Sequence, residues 1–462
     1  MTTLSESVPQ PVQSQADGFL SISSRTRRDL DAIAAAAQNT NYSYEQTRFL
    51  SNNIGPRLSG SPQAAAAVSY VEKQMHELGA DVRLEPVTVR HWVRGEEEAR
   101  LVRYPGQVEA SCQKIVVTAL GNTVATPREG MTAPVLVVET FEHLDQLPVD
   151  QIRGTVVLFN YAFDEFAADS GRWEQAYRSA AQYRNEGPAR ASQKGAIAAL
   201  VRSVGPRRSR LPHTGVTRFR DGVLQIPAGA VAAEDADLIA DLATRGEVVI
   251  HLVLTPLEFP AAQSHNVVAN LQGSQFPEQI VIVSAHLDSW DLATGALDDA
   301  VGIGITMDVL RVIKTVNPHP KRTIRFVAWM NEENGGAGGR AYAEDHKSEL
   351  GRHIAAVEVD FGDGRPIGLN VAATEERIAP ISSILHRIGD PIGGVNVVSD
   401  SPGADLTALN QAGVPAVAPL QESRHYFDYH HTPADTFDKV RVEELRKCVD
   451  VIARLVYALA EI

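Results

Sequence analysis

Five short polar clusters in this chain combine residue types that hold metal ions. His286-Leu287-Asp288-Ser289 follows the apolar run 280–285. A histidine at a strand end is well placed to ligate. Asp288, two residues on, is close enough to hold the second ring nitrogen and fix its tautomer. Next comes Gly295-Ala296-Leu297-Asp298-Asp299. Adjacent aspartates ahead of a helix either cap it or set a carboxylate opposite His286, where it can bridge two metals. The run 323–329 leads into Asn331-Glu332-Glu333-Asn334-Gly335-Gly336. Consecutive glutamates at a strand end are costly unless paired or metal-bound, and one can ligate while its neighbour acts as general base. Asp360 ends the following apolar run. Last comes Tyr429-His430-His431-Thr432-Pro433-Ala434-Asp435, where Asp435 is placed to orient His431 as Asp288 orients His286. Each cluster taken singly also has an ordinary structural reading. Jointly, two histidines and at least three carboxylates on successive strand ends suit a pair of zinc ions held by nitrogen and oxygen. No cysteine lies near them, which argues against a structural zinc site.

The elements that must position these groups follow from periodicity. After residue 265, buried-strand runs (280–285, 323–329, 354–359, 416–420) alternate with helical patterns (301–313, 339–344, 378–388, 442–460). Alternation of this kind predicts an α/β sheet covered by helices on both faces, with functional groups just beyond the carboxyl ends of its strands. Ahead of it, 26–80 reads as two helices around a turn-rich loop, and 82–89 and 115–119 read as strands. The acidic run Gly95-Glu96-Glu97-Glu98 reads as a solvated loop. Residues 125–255 read as a separate β-rich module, with one helix at 233–242 and glycines and prolines in the gaps. It has few carboxylates at metal-like spacing, so its expected part is to shape or shield a site.

Composition bounds the rest. With 43 basic and 57 acidic side chains in 462 residues the net charge is 43 − 57 = −14. That balance excludes a general nucleic-acid binder, which needs a basic face, and disfavours an anionic membrane surface. The cluster Arg207, Arg208, Arg210 reads as an exposed loop. No run of about 18 apolar residues occurs, so no membrane span is expected. Two cysteines, Cys112 and Cys448, exclude a disulfide scaffold and read as free, buried thiols. Residues 1–25 read as a flexible tail without the apolar core of a signal peptide. The default compartment is therefore the cytoplasm, or secretion if a signal precedes this numbering.

His286-x-Asp288, Gly-Ala-x-Asp298-Asp299, Asn-Glu332-Glu333-x-Gly and His431-Thr-x-x-Asp435 resemble the di-zinc aminopeptidase and carboxypeptidase family, with its carboxypeptidases the nearer likeness. The likeness extends to Ser43-Tyr44-Glu45-Gln46, Gly55-Pro56-Arg57-Leu58-Ser59-Gly60-Ser61, His91-Trp92, Pro212-His213-Thr214-Gly215 and Asp221-Gly222-Val223. It covers about 26–458. It implies a phosphorylase-like α/β catalytic domain, a central mixed sheet between helices, with a β-rich protease-associated domain inserted at about 122–256. The peptidase domain would then comprise 26–121 and 257–462.

By that resemblance His286, Asp298 and Asp360 hold one zinc, and Asp298, Glu333 and His431 the other. Asp298 bridges, Glu332 is the general base, and a cis peptide often follows the bridging aspartate. His430 is the rival to His431. The family commonly has Ser-Gly or Gly-Gly after the Asp pair, where this chain has Ala300-Val301-Gly302, so helix packing there is expected to differ. The implied enzyme is an exopeptidase acting on dipeptides or short peptides with free termini, as a homodimer. A general aminopeptidase is the alternative within the family. Outside it stand a single-zinc acyltransferase resembling glutaminyl cyclase and a non-catalytic binding protein. Asp405, in a loop resembling the family's substrate-side segment, is a weak candidate for holding a substrate ammonium. It reads equally well as an N-cap for 406–409.

Overall fold

In the computed structural model, which describes residues 22–206 and 210–462, the strands form two eight-stranded sheets. The first runs in the order Asp81–Val93, Leu257–Leu271, Arg322–Trp329, Phe276–His286, His353–Glu358, Ala416–Gln421, Pro366–Ala372, Val395–Val397. Its four central strands are parallel. Antiparallel pairs join the two long outer strands on one side and Pro366–Ala372 on the other. Strands buried on both faces need helices on both faces. Val301–Val316, Val442–Glu461 and Pro62–Glu77 supply one layer, packed through Ile303, Leu455 and Val71. Ala337–Asp345 and Thr407–Gln411 cover the other face through Tyr342 and Leu409. The expected α/β class with a central mixed sheet is what the chain forms. No helix among the described residues is long and apolar enough to cross a membrane.

The second sheet is also mixed. Its order is Gln113–Ile115, Glu97–Arg103, Val249–Leu254, Met131–Val138, Val156–Phe159, Ala198–Arg202, Ala228–Val231, Val117–Ala119. Its first strands lie ahead of residue 122, because Glu97–Arg103 pairs antiparallel with Val249–Leu254. The segment 97–119, expected with the peptidase part, therefore belongs to this sheet. The run 115–119 is split into two short strands, Gln113–Ile115 and Val117–Ala119, at opposite edges of the sheet.

Several local expectations differ from the structure. Only half of the acidic run is a solvated loop: Gly95 and Glu96 are exposed outside any strand, but Glu97 opens a strand and accepts from Arg94 Nη1 at 2.9 Å. Trp173–Gln193 is one helix of 21 residues that continues through Gly187-Pro188. A Cβ on Gly187 would stand 2.8 Å from the Phe159 ring, so the close approach of this helix to the sheet demands glycine there. The helical pattern 378–388 is two helices, Glu375–Ile378 and Ser382–Gly389. Pro380 between them lacks the N–H that would continue the ladder. Cys112 is exposed, and only Cys448 is buried. Ser24–Gln38 is a helix capped by Ser23, so the last residues of the expected tail are helical; its residues 1–21 lie outside the described residues. Arg207 and Arg208 do too, and Arg210 pairs with Asp235 at 2.7 Å.

Candidate metal centre

The carboxyl ends of the parallel strands bring the sequence-predicted groups together. His286 is the last residue of its strand. Glu332 and Glu333 follow Arg322–Trp329, and Asp360 follows His353–Glu358. His430 and His431 follow the short helix Arg424–Tyr429. Asp298 lies at the centre, almost wholly buried. Its Oδ1 is 3.1 Å from His286 Nε2, which is also 3.2 Å from Asp360 Oδ1. Its Oδ2 is 3.2 Å from His431 Nε2, which is 3.1 Å from Glu333 Oε2. One carboxylate thus turns one oxygen to each of two His–carboxylate pairs. His430 Nε2 is further from the same oxygen, at 3.7 Å. Among the described residues three overlapping His and carboxylate groups, each with ligand atoms within 4.8 Å of one another, lie here. The peptide between Asp298 and Asp299 is cis, as the resemblance led one to expect.

The supports of these groups differ from the sequence reading. His286 Nδ1 donates to the Asp288 carbonyl at 3.0 Å, not to its carboxylate. That bond still presents Nε2 to the cluster. The Asp288 carboxylate instead accepts from the N–H groups of Asn331 and Glu332, at 2.7 and 3.1 Å, and so holds the loop that carries both glutamates. Asp435 does not touch His431. It accepts from the N–H of Leu297 at 2.6 Å and of Asp298 at 3.2 Å, fixing the backbone of the central aspartate. His431 Nδ1 is held by the Thr214 carbonyl at 3.2 Å.

The two glutamates are divided by burial and partners. Glu333 turns inward, accepting from Trp290 N–H at 3.2 Å. Glu332 is half-buried, and both glutamates line a cleft of about 590 Å³, shared with Tyr177, Arg184 and Tyr426.

Asp299 and Arg57 carry structure that the spacing did not announce. Asp299 accepts from His286 N–H at 3.3 Å and Gly302 N–H at 3.0 Å. A Cβ on Gly302 would lie 2.3 Å from both the Asp299 carboxylate and the Val359 carbonyl. The small residue that the family places after the Asp pair is thus needed at this third position. Arg57 is fully buried and donates to the carbonyls of Gly55, Leu287, Thr294 and Gly295 at 2.8–3.1 Å. It pins the whole 287–295 loop between His286 and Asp298. The only sequence signal for it was the Gly-Pro-Arg-Leu motif.

Burial and mutual repulsion dominate the charges. Burial, with the carboxylates of Asp360, Asp288 and Asp298, pushes the Glu332 carboxyl up to about 8. Burial, aided by Asp298, raises Glu333 well above its ordinary value. Burial lifts Asp435 to about 7, again with Asp298 beside it. Asp298 runs the other way: burial would raise it, but hydrogen bonds from His286 and His431 hold it well below the usual range. Such a crowd of carboxylates calls for cations. The donor set of imidazole nitrogen and carboxylate oxygen, without thiolate, fits zinc.

The direction of these shifts makes a prediction. A carboxyl raised in the fold contributes stability below its ordinary value near 4, and that contribution is lost as pH rises through the raised value, here about 7 to 8. Asp298, being lowered, contributes above about 4 and does not offset the loss in that window. Zinc takes the deprotonated ligands. The gap in melting temperature between zinc-loaded and chelator-stripped protein is therefore expected to widen from pH 5 to pH 8, by about 5 °C or more. Calorimetry at both pH values checks this, and an equal gap at the two would contradict it.

Residues 266–456 match peptidase family M28. Carboxypeptidase Q of Homo sapiens is 35% identical over 432 residues, which cover 93% of this chain and 87% of that protein. The chain belongs to peptidase family M28. It is an enzyme of that family, a zinc exopeptidase. The crystal structure of a peptidase M28 precursor from Shewanella amazonensis superposes with a TM-score of 0.86 at 34% identity, covering 95% of this chain and 97% of that one. An aminopeptidase from Aneurinibacillus sp. strain AM-1 has the same fold, with a TM-score of 0.64 at 21% identity over 94% of this chain and 96% of its own.

Proposed function

We propose that this chain is a di-zinc exopeptidase that hydrolyses dipeptides or short peptides with free termini. One observation carries the reading: Asp298 turns its two oxygens to two separate His–carboxylate pairs. His286, Asp298 and Asp360 would hold one ion, and Asp298, Glu333 and His431 the other. When bound, a zinc pair lowers the pKa of water and polarises the scissile carbonyl. The protein's own part is positional and protolytic. Glu332, the less buried of the two glutamates that line the cleft, takes the proton of the attacking water and later passes it to the leaving amine. Asp288 holds the Glu332 backbone while this happens. The second sheet is read as a protease-associated domain that closes the cleft with Tyr177 and Arg184.

Asp405 would receive the substrate ammonium. It is 3% exposed, and neither of its carboxylate oxygens has a hydrogen-bond partner. The capping role is taken elsewhere: Glu358 accepts from the N–H groups of Asp405 and Leu406 at 3.3 and 3.1 Å. A buried carboxylate without a donor is unfavourable until a cation reaches it.

The test is amino-acid release by the zinc-loaded protein from a free dipeptide, its N-acetylated form and its C-amidated form. Cleavage of the free dipeptide alone is expected, both termini being read. Cleavage of the amide as well, but not the N-acetyl form, would make the enzyme an aminopeptidase. Cleavage of the N-acetyl form would remove the role given to Asp405.

A further inference from the structure

The support of His431 comes from the second sheet. The segment 212–215 lies within the inserted part of the chain, yet its Thr214 carbonyl accepts from His431 Nδ1 at 3.2 Å, and Thr214 N–H donates to the His431 carbonyl at 2.9 Å. His286, by contrast, finds its support two residues away in its own loop. The segment is tied back to the second sheet. Thr214 Oγ1 donates to the Ala119 carbonyl at 2.9 Å, and Gly121 N–H donates to the Gly215 carbonyl at 2.9 Å. Arg94 clamps the junction. It donates to Thr214 Oγ1 at 3.3 Å, to the Ala119 carbonyl at 2.6 Å, to Glu97 at 2.9 Å, and to Asp291 of the 287–295 loop at 2.7 Å. Arg184, from the helix Trp173–Gln193, completes it by donating to the same Thr214 carbonyl at 3.1 Å. There is no slack here. Gly215 has φ +139°, and a Cβ on it would stand 2.3 Å from the Arg184 guanidinium carbon.

A hydrogen bond to Nδ1 decides which nitrogen a ligating histidine presents and where it points. We infer that Thr214 is the positioning residue for the zinc ion held by Asp298, Glu333 and His431, so that this ion binds tightly only when the second sheet is docked on the first. The inference rests on the two-metal reading above. It gives the inserted sheet a part in assembling the metal centre, beyond shaping the cleft. The two metal positions are thereby made unequal: the His286 position is built within the first sheet, and the His431 position is completed across the junction.

The test is zinc binding, read by isothermal titration of the metal-free protein and by zinc per chain after dialysis. Wild type is expected to take two equivalents. In Gly215→Ala the first equivalent should bind as in wild type and the second about 10- to 100-fold more weakly. Thr214→Val, which keeps shape and loses the hydroxyl tie, should weaken the second equivalent in the same direction, and Thr214→Ser should restore it. Circular dichroism confirms that each variant is folded, and the Thr214 pair decides the matter if Gly215→Ala is not. Folded variants that bind both equivalents as wild type does would overturn the inference. Wild type that takes fewer than two would instead overturn the two-metal reading, and the inference with it.

Discussion

Glu332→Gln is expected to retain zinc at the wild-type level and to lose about 10²- to 10⁴-fold in kcat, the usual contribution of a general base. The substitution keeps size and hydrogen-bonding reach and removes only the proton acceptor. The inward neighbour shows why metal should stay. Glu333 is buried against His431 and the Trp290 N–H, whereas Glu332 is half-buried in the cleft wall and belongs to none of the His and carboxylate groups gathered around Asp298. Loss should appear in kcat and kcat/KM together, because proton transfer belongs to the transition state. Steady-state kinetics on the free dipeptide checks this, beside zinc analysis of the same preparation. Substantial turnover in the variant would take the base assignment from Glu332.

Asp298→Ala should have the broader effect. Outer hydrogen-bonding partners of metal ligands are each worth about 10- to 100-fold in affinity, and a ligand shared by both ions exceeds that. The substitution also leaves Asp360 and Glu333 without the central group that lines up the two histidines. Both ions are expected to be lost, and turnover with them. A variant in which one position alone emptied would mean that the two are not joined through this carboxylate.

The site was legible where chemistry and strand ends coincide. Apolar runs of strand length announced Phe276–His286, Arg322–Trp329 and His353–Glu358, and the polar groups that follow them stood out because such groups are costly there without partners. The supports were not legible. Asp288 and Asp435 each stand near a histidine in sequence, yet their carboxylates serve backbone N–H groups 43 and 138 residues away. Thr214 reaches His431 across 217 residues through a carbonyl, which every residue possesses and no side-chain pattern marks. The helix Trp173–Gln193 escaped because it is rich in charge and contains Gly187-Pro188, which read as a break. Tertiary packing of Gly187 on Phe159 outweighs that local signal.

The central claim is that Asp298 joins two zinc positions in one centre. Zinc per chain, measured by elemental analysis on wild type and Asp298→Ala after the same dialysis, tests it most directly. The account predicts about two ions in wild type and close to none in the variant. One ion in wild type, or an undiminished content in Asp298→Ala, would contradict it.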